Sequence, residues 1–283
     1  MNDFLIKGTI VGYSHEKWTE DKEVFSSYLL TVLQSWIINT YGYDGITKNN
    51  LNSKLAQEYG LIRESVLGLE NDLHNLSIII HQIKFININK DIDSALKSLY
   101  IGQLVESYFI NIRSILDYSS LSPKILLDEC SFDFLSSKHN DSLTDLIGKC
   151  KKDSKKIASA ISSKIVDYIM NSESLLKDVQ QIRDLIVHHG KEPIISIEGD
   201  NIYFNITNRN KSLLPNLLDI AGNDYPLFDY IRIITIRTID YLENLGILIG
   251  NEMINHFDNN RINLTALGGI CMPSFIEFLN YKK

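Results

Sequence analysis

The chain has 283 residues, 44% of them hydrophobic and 22% charged, with only 5 Pro and 15 Gly. That length and balance suit one large core or two modest domains and exclude a disordered or linker-rich chain. A net charge of -7 excludes nucleic-acid binding through bulk charge, so any RNA would have to meet a local basic face.

Cys130, Cys150 and Cys271 are an odd number at wide spacing, which gives neither a disulfide framework nor a cysteine-rich zinc site. The N-terminus has no charged stretch leading into a long apolar run, and no segment reaches about 18 uninterrupted apolar residues. A soluble cytoplasmic protein with no membrane segment is expected.

In chain order, the β-branched residues of Phe4 to Tyr13, broken by Gly8 and Gly12, predict a short strand or hairpin. Phe25, Tyr28, Leu29, Val32, Leu33, Trp36 and Ile37 repeat near 3.6 residues and predict a helix over 24–41. A second helical pattern runs from Asn52 to Lys84, with Gly60 and Gly68 as possible breaks. Asp91 is the expected N-cap of the next helix, whose stripe includes Leu96, Leu99, Tyr100, Leu104, Tyr108, Ile112, Ile115 and Leu116. Ser120 to Pro123 stops it. Shorter helical pieces follow over 124–170. Asn171 or Ser172 then caps a helix through Leu175, Leu176, Val179, Ile182, Ile186 and Val187, and Gly190 ends it.

Beyond Gly190 the period changes. Pro193 to Glu198 and Ile202 to Ile206 flank Gly199-Asp200-Asn201, the strongest hairpin pattern in the chain. A loop with one short helical piece leads to Pro226, which opens a long final helix to about Ile249. Thr238 interrupts the apolar stripe of that helix, which a core accepts if the hydroxyl bonds back to the preceding turn. The expected fold is mostly α: a helical bundle with additional N-terminal helices and a small C-terminal β-hairpin followed by a long helix. Its parts are an N-terminal helical extension (1–90), a helical core (91–190), and a hairpin plus C-terminal helical region (191–283) forming one compact unit with the core.

No P-loop, dinucleotide-binding glycine pattern or nucleophile elbow occurs. The chemistry instead concentrates in RDLIVHH, Arg183 to His189. Arg183 and His188 are about 7.5 Å apart along a helix axis and roughly 140° around it, so they do not share one narrow face. Asp184 and His188 do share a face and allow the carboxylate to fix the ring tautomer. Such groups suit RNA cleavage. RNA carries its own 2′-hydroxyl nucleophile, a histidine moves the proton, and an arginine stabilises charge on the phosphate oxygens. No metal and no cofactor is needed, and the products are a 2′,3′-cyclic phosphate and a 5′-hydroxyl end.

With Arg183, Asp184 and His188 spaced in this way, the chain resembles the HEPN-domain superfamily. His189 also satisfies the spacing. The resemblance covers about residues 91–190 and implies a HEPN-like helical core. It further implies a metal-independent ribonuclease that works as a homodimer with both motifs at the interface. Such a protein is expected to act as a toxin or antiphage defence effector, with a neutralising or regulatory protein partner. The resemblance also allows a catalytically silent RNA-binding or protein-interaction scaffold. Helices of this family often carry a polar residue facing the motif, and Glu106, Arg113 and Asp117 are candidates. Arg113 and Asp117 are also spaced as a plain intrahelical ion pair.

The one dense basic run holds Lys149, Lys151, Lys152, Lys155 and Lys156. It is either a solvated surface or a contact for an RNA backbone. Tyr108, Phe109 and Tyr118 offer rings for base stacking but lie in an apolar stripe that favours core packing. His74 and His81 share a helix face with only Ile78 between them, which supplies no metal ligand.

Overall fold

A computed structural model describes residues 10–14, 17–21, 27–41, 53–128, 130–135, 142–187, 190–208, 211–256 and 273–280. The fold is a mostly helical bundle with N-terminal helices and a small, unclosed three-stranded sheet followed by a long helix. Ile10–Ser14 (β1) and Lys17–Asp21 (β2) form an antiparallel hairpin. Helices α1 (Tyr28–Tyr41), α2 (Ser53–Ile88) and α3 (Ser94–Ser119) follow. Of the strand or hairpin expected over Phe4 to Tyr13, Ile10 to Tyr13 lie in β1, and the residues before them lie outside the described ones.

Helix α2 runs unbroken through both of its glycines. At Gly68 a Cβ would stand 2.5 Å from the Tyr118 ring, so this glycine is a slot for an aromatic side chain on α3 rather than a breaker. The N-cap of α3 is Asp93, not Asp91: its carboxylate accepts the Leu96 N–H at 3.0 Å. The buried stripe of α3 is Ile101, Val105, Tyr108, Phe109, Ile112, Ile115 and Leu116, while Leu96, Leu99 and Tyr100 are exposed. Apolar residues occupy two faces of the first turns, and periodicity alone does not say which face meets α2.

After α3, Pro123 starts a short 3-10 turn, Ser122–Leu126. A second such turn, Phe132–Phe134, leads to α4 (Leu143–Lys152), α5 (Ser154–Ile161), α6 (Ser163–Asn171) and α7 (Glu173–Val187). The Ser172 hydroxyl donates to the Ile169 carbonyl at 2.6 Å, so it serves the end of α6 rather than the start of α7.

The expected hairpin is β3 (Ile194–Glu198) with β4 (Asn201–Asn205), in the register Ile197 opposite Ile202. Thr207–Asn208 (β5) and Lys211–Ser212 (β6) pair briefly, and Tyr225–Pro226 (β7) adds to the free edge of β4. No helix forms among the described residues between Lys211 and Tyr225. Helix α8 then runs from Leu227 to His256, longer than its expected end, and α9 is Pro273–Leu279. The Thr238 hydroxyl donates back to Ile234 at 2.9 Å, which is how the core accepts it.

One continuous apolar cluster extends from Leu29 to Leu279. An aromatic group joins sheet to helices: the Phe204 and Tyr230 ring centroids are 5.1 Å apart, and Phe109 stacks on Phe204 at 6.3 Å. Each such fully buried ring contributes about 2–3 kcal/mol by burial. Helix α1 packs tightly on α8, where a Cβ on Gly246 would fall 2.6 Å from the Tyr28 carbonyl carbon.

Candidate functional site

Helix α7 packs on α3 and runs antiparallel to it. The charge of Arg183 acts on Asp117 near the end of α3, whereas Pro193, beyond α7, lies against Gly102 near the start of α3. The chain therefore runs back along α3 from the level of Asp117 at Arg183 toward Gly102 at Pro193. Gly190 then turns the chain with φ of +56°, and the Lys191 N–H donates to the Leu185 carbonyl at 3.1 Å.

Arg183 and Asp184 are each 34% exposed at the side chain, and an Arg183 guanidinium nitrogen donates to Asp184 Oδ1 at 3.1 Å. Both lie at the surface of the bundle. His188 and His189 lie outside the described residues.

Beneath them, Arg113 Nε donates to Asp117 Oδ2 at 2.9 Å, and another guanidinium nitrogen of Arg113 reaches Thr144 at 3.2 Å. Asp117 Oδ1 accepts the Leu143 N–H at 3.0 Å, so this carboxylate also holds the first turn of α4. Burial raises the Asp117 pKa. The charge of Arg113, the Leu143 amide and the more distant charge of Arg183 oppose that rise. The structure thus brings four expected residues, Arg113, Asp117, Arg183 and Asp184, into one neighbourhood. Arg113 and Asp117 do more there than the intrahelical pair that spacing predicts.

Hydrophobic periodicity does not point to Thr144 or to the start of α4. A signal existed: Ser142-Leu143-Thr144-Asp145 is a capping sequence, and Ser142 Oγ accepts the Asp145 N–H at 3.2 Å while donating to its carboxylate at 2.7 Å.

Glu106 lies further along α3, on a groove of about 490 Å³ that Glu192 also lines. Burial and then the charge of Glu192 push its pKa up. The groove begins where the chain leaves α7.

The lysine run stands apart from Arg183. Lys151 pairs with Glu173 at 2.7 Å, at the opposite end of α7. Ten residues of helix place that pair about 15 Å from Arg183 along the axis. Lys149 is half-buried, and its pKa is lowered by burial and then by the charge of Lys124. Lys152 and Lys155 are exposed, and the Lys156 ammonium stands 4.0 Å from the Phe134 ring centroid.

Tyr108 and Phe109 are wholly buried, and Tyr118 fills the slot at Gly68, so all three rings are used in packing. Among the described residues no group of three or more His, Cys, Asp or Glu is placed to hold a metal ion. No helix of the described residues is long and apolar enough to cross a membrane. Cys150 is buried, with its thiol pushed up to about 11 by burial, and Cys130 is exposed.

No protein-family model matches the chain, and no curated protein or solved structure matches it significantly.

Proposed function

We propose that this chain is a metal-independent RNA endonuclease with a HEPN-like core, acting in the cytoplasm as a toxin or antiphage effector. The observation that supports this most is the position of Arg183. It lies one-third exposed in the last turns of α7, paired with Asp184 and near enough to Asp117 of α3 for its charge to act there, and not within a core. There it can donate paired hydrogen bonds to a phosphate.

In the proposed reaction a histidine of the motif, His188 or His189, takes the proton from the RNA 2′-hydroxyl. The 2′-oxygen attacks phosphorus and the bond to the 5′-oxygen breaks. A second imidazole, in its protonated form, returns a proton to that oxygen. Arg183 stabilises the charge that grows on the non-bridging oxygens. A second copy of the chain supplies the second imidazole. Asp184 orients the arginine through their hydrogen bond, in addition to any hold on His188. The exposed lysines of the 149–156 run extend the contact to the RNA backbone. A neutralising partner protein would cover this end of α7.

The second reading is a catalytically silent scaffold or RNA-binding module. What favours it is that the charged groups of α3 already have structural work: Arg113 and Asp117 together hold α4.

The experiment is cleavage of RNA in the presence of chelator, with analysis of the new ends. The nuclease reading requires 2′,3′-cyclic phosphate and 5′-hydroxyl ends, with loss of cleavage in Arg183→Ala and in one of His188→Ala or His189→Ala. Binding without turnover selects the scaffold. Cleavage that survives Arg183→Ala removes the site proposed here.

A further inference from the structure

A cavity of about 430 Å³ opens at the other end of the molecule, where the end of α2, the β3–β4 turn, β7, the start of α8 and α9 meet. Its walls combine rings and charges. The Phe228 and Phe278 centroids are 5.9 Å apart in an edge-to-face arrangement, and Tyr203 also lines the cavity. The Lys84 ammonium stands 5.6 Å from the Phe278 ring centroid. Arg232 is held by Asp229 at 2.6 Å, and both are mostly buried in the wall. Phe228 and Asp229 belong to the first turn of α8, so the positive pole of a 30-residue helix faces the same space.

We propose that this cavity binds a small planar aromatic anion of the nucleoside monophosphate kind. The aromatic walls take the flat ring, edge or face on. Asp229 neutralises Arg232, which leaves Lys84 and the start of α8 to receive the anionic group. A purely apolar ligand would leave the mostly buried Arg232–Asp229 pair facing hydrocarbon, which is unfavourable. The volume falls in the range of small-molecule sites, roughly 300–1,000 Å³. Asp200 and Glu277 are exposed on the lining, where their carboxylates can accept from the amino group of adenine or the imide N–H of uracil.

This site is separate from the end of α7. Tyr118, next to Asp117, meets α2 at Gly68. Lys84 is sixteen residues further along α2, about 24 Å away. The proposal therefore does not rest on the nuclease reading.

Isothermal titration calorimetry of the full chain with AMP and UMP tests it, with adenosine and ribose 5-phosphate as the two halves of the ligand. Saturable one-site binding of a monophosphate is expected, with each half about tenfold weaker or worse. Lys84→Ala and Phe228→Ala should each weaken binding by about tenfold or more, a loss of roughly 1.4 kcal/mol. Arg183→Ala should leave it unchanged. Lys84 is a partly exposed side chain, so its variant reports even where Phe228→Ala fails to fold. The proposal is overturned if neither monophosphate binds at millimolar concentration, if Lys84→Ala binds as tightly as the parent, or if Arg183→Ala abolishes binding.

Discussion

The carboxylate of Glu243, on α8, accepts the backbone N–H of Tyr28, the first residue of α1, at 2.9 Å. This carboxylate is mostly buried, and burial together with the charge of Asp240 pushes its pKa up to about 7, against the pull of the Tyr28 amide. The folded state therefore holds the proton more tightly than the unfolded chain, whose value is near 4.5. The stabilisation from protonation is complete below pH 4.5 and is lost as pH rises through about 7. The change amounts to about 3 kcal/mol. Asp72, pushed up to about 6 by burial, adds to the same trend. Thermal melts between pH 5 and pH 8 should show this loss, and Glu243→Gln, which keeps an acceptor for Tyr28, should flatten it. An unaltered slope in that variant would remove Glu243 as its source.

Two helical glycines should respond differently to alanine. At Gly68 the added methyl meets the Tyr118 ring, a half-buried side chain that can turn aside. Gly68→Ala should cost about 1–3 kcal/mol, and less in a Tyr118→Ala background. At Gly246 the added methyl meets the backbone of Tyr28 and Leu29. That backbone cannot move without displacing α1, so Gly246→Ala should cost more than Gly68→Ala. Urea unfolding of the three variants and the double mutant measures both comparisons, and equal costs at the two sites would refute the contrast.

Asp117 should matter to stability whatever the chain does. Asp117→Ala leaves the Arg113 side chain, only 14% exposed, without its carboxylate and leaves the Leu143 N–H without its acceptor. A loss of about 2–3 kcal/mol is expected. Asp117→Asn keeps an acceptor for the amide and should lose less. A variant with the stability of the parent would show that α4 is held by its apolar contacts alone.

At the proposed site, Arg183→Lys keeps the positive charge but loses the planar, two-pronged donor. Cleavage should fall about 10²-fold or more while the unfolding free energy changes by less than about 1 kcal/mol. Matched denaturation curves and single-turnover rates separate the two effects. Equal activity would mean that charge alone, and not paired hydrogen bonding, is what the site needs.

Much of this architecture is written in periodicity. The long helices, the stop at Pro123, the hairpin around Gly199-Asp200-Asn201 and the back-bonded Thr238 follow from local chemistry that each segment carries by itself. The departures come from contacts between segments. Gly68 reads as a breaker until Tyr118 is placed against it. Leu96, Leu99 and Tyr100 read as core because they are apolar and periodic, yet they stay exposed while Ile101, Val105 and Tyr108 are buried. The site follows the same rule. Arg113 and Asp117 are legible as an ion pair at four-residue spacing, but their hold on Leu143 and Thr144 joins residues some 26 to 31 positions apart. No local pattern announces that.

The hydrogen bond from Tyr28 to Glu243 spans 215 residues. On a ribosome adding 5–20 residues per second, the start of α1 waits roughly 10 to 40 s for its partner. During that interval Leu29 and Val32, buried in the finished protein against Gly246 and Gly250, have no α8 to pack on. The contact that anchors the start of α1 therefore becomes available late, and newly made chains depend on whatever shields α1 until α8 emerges.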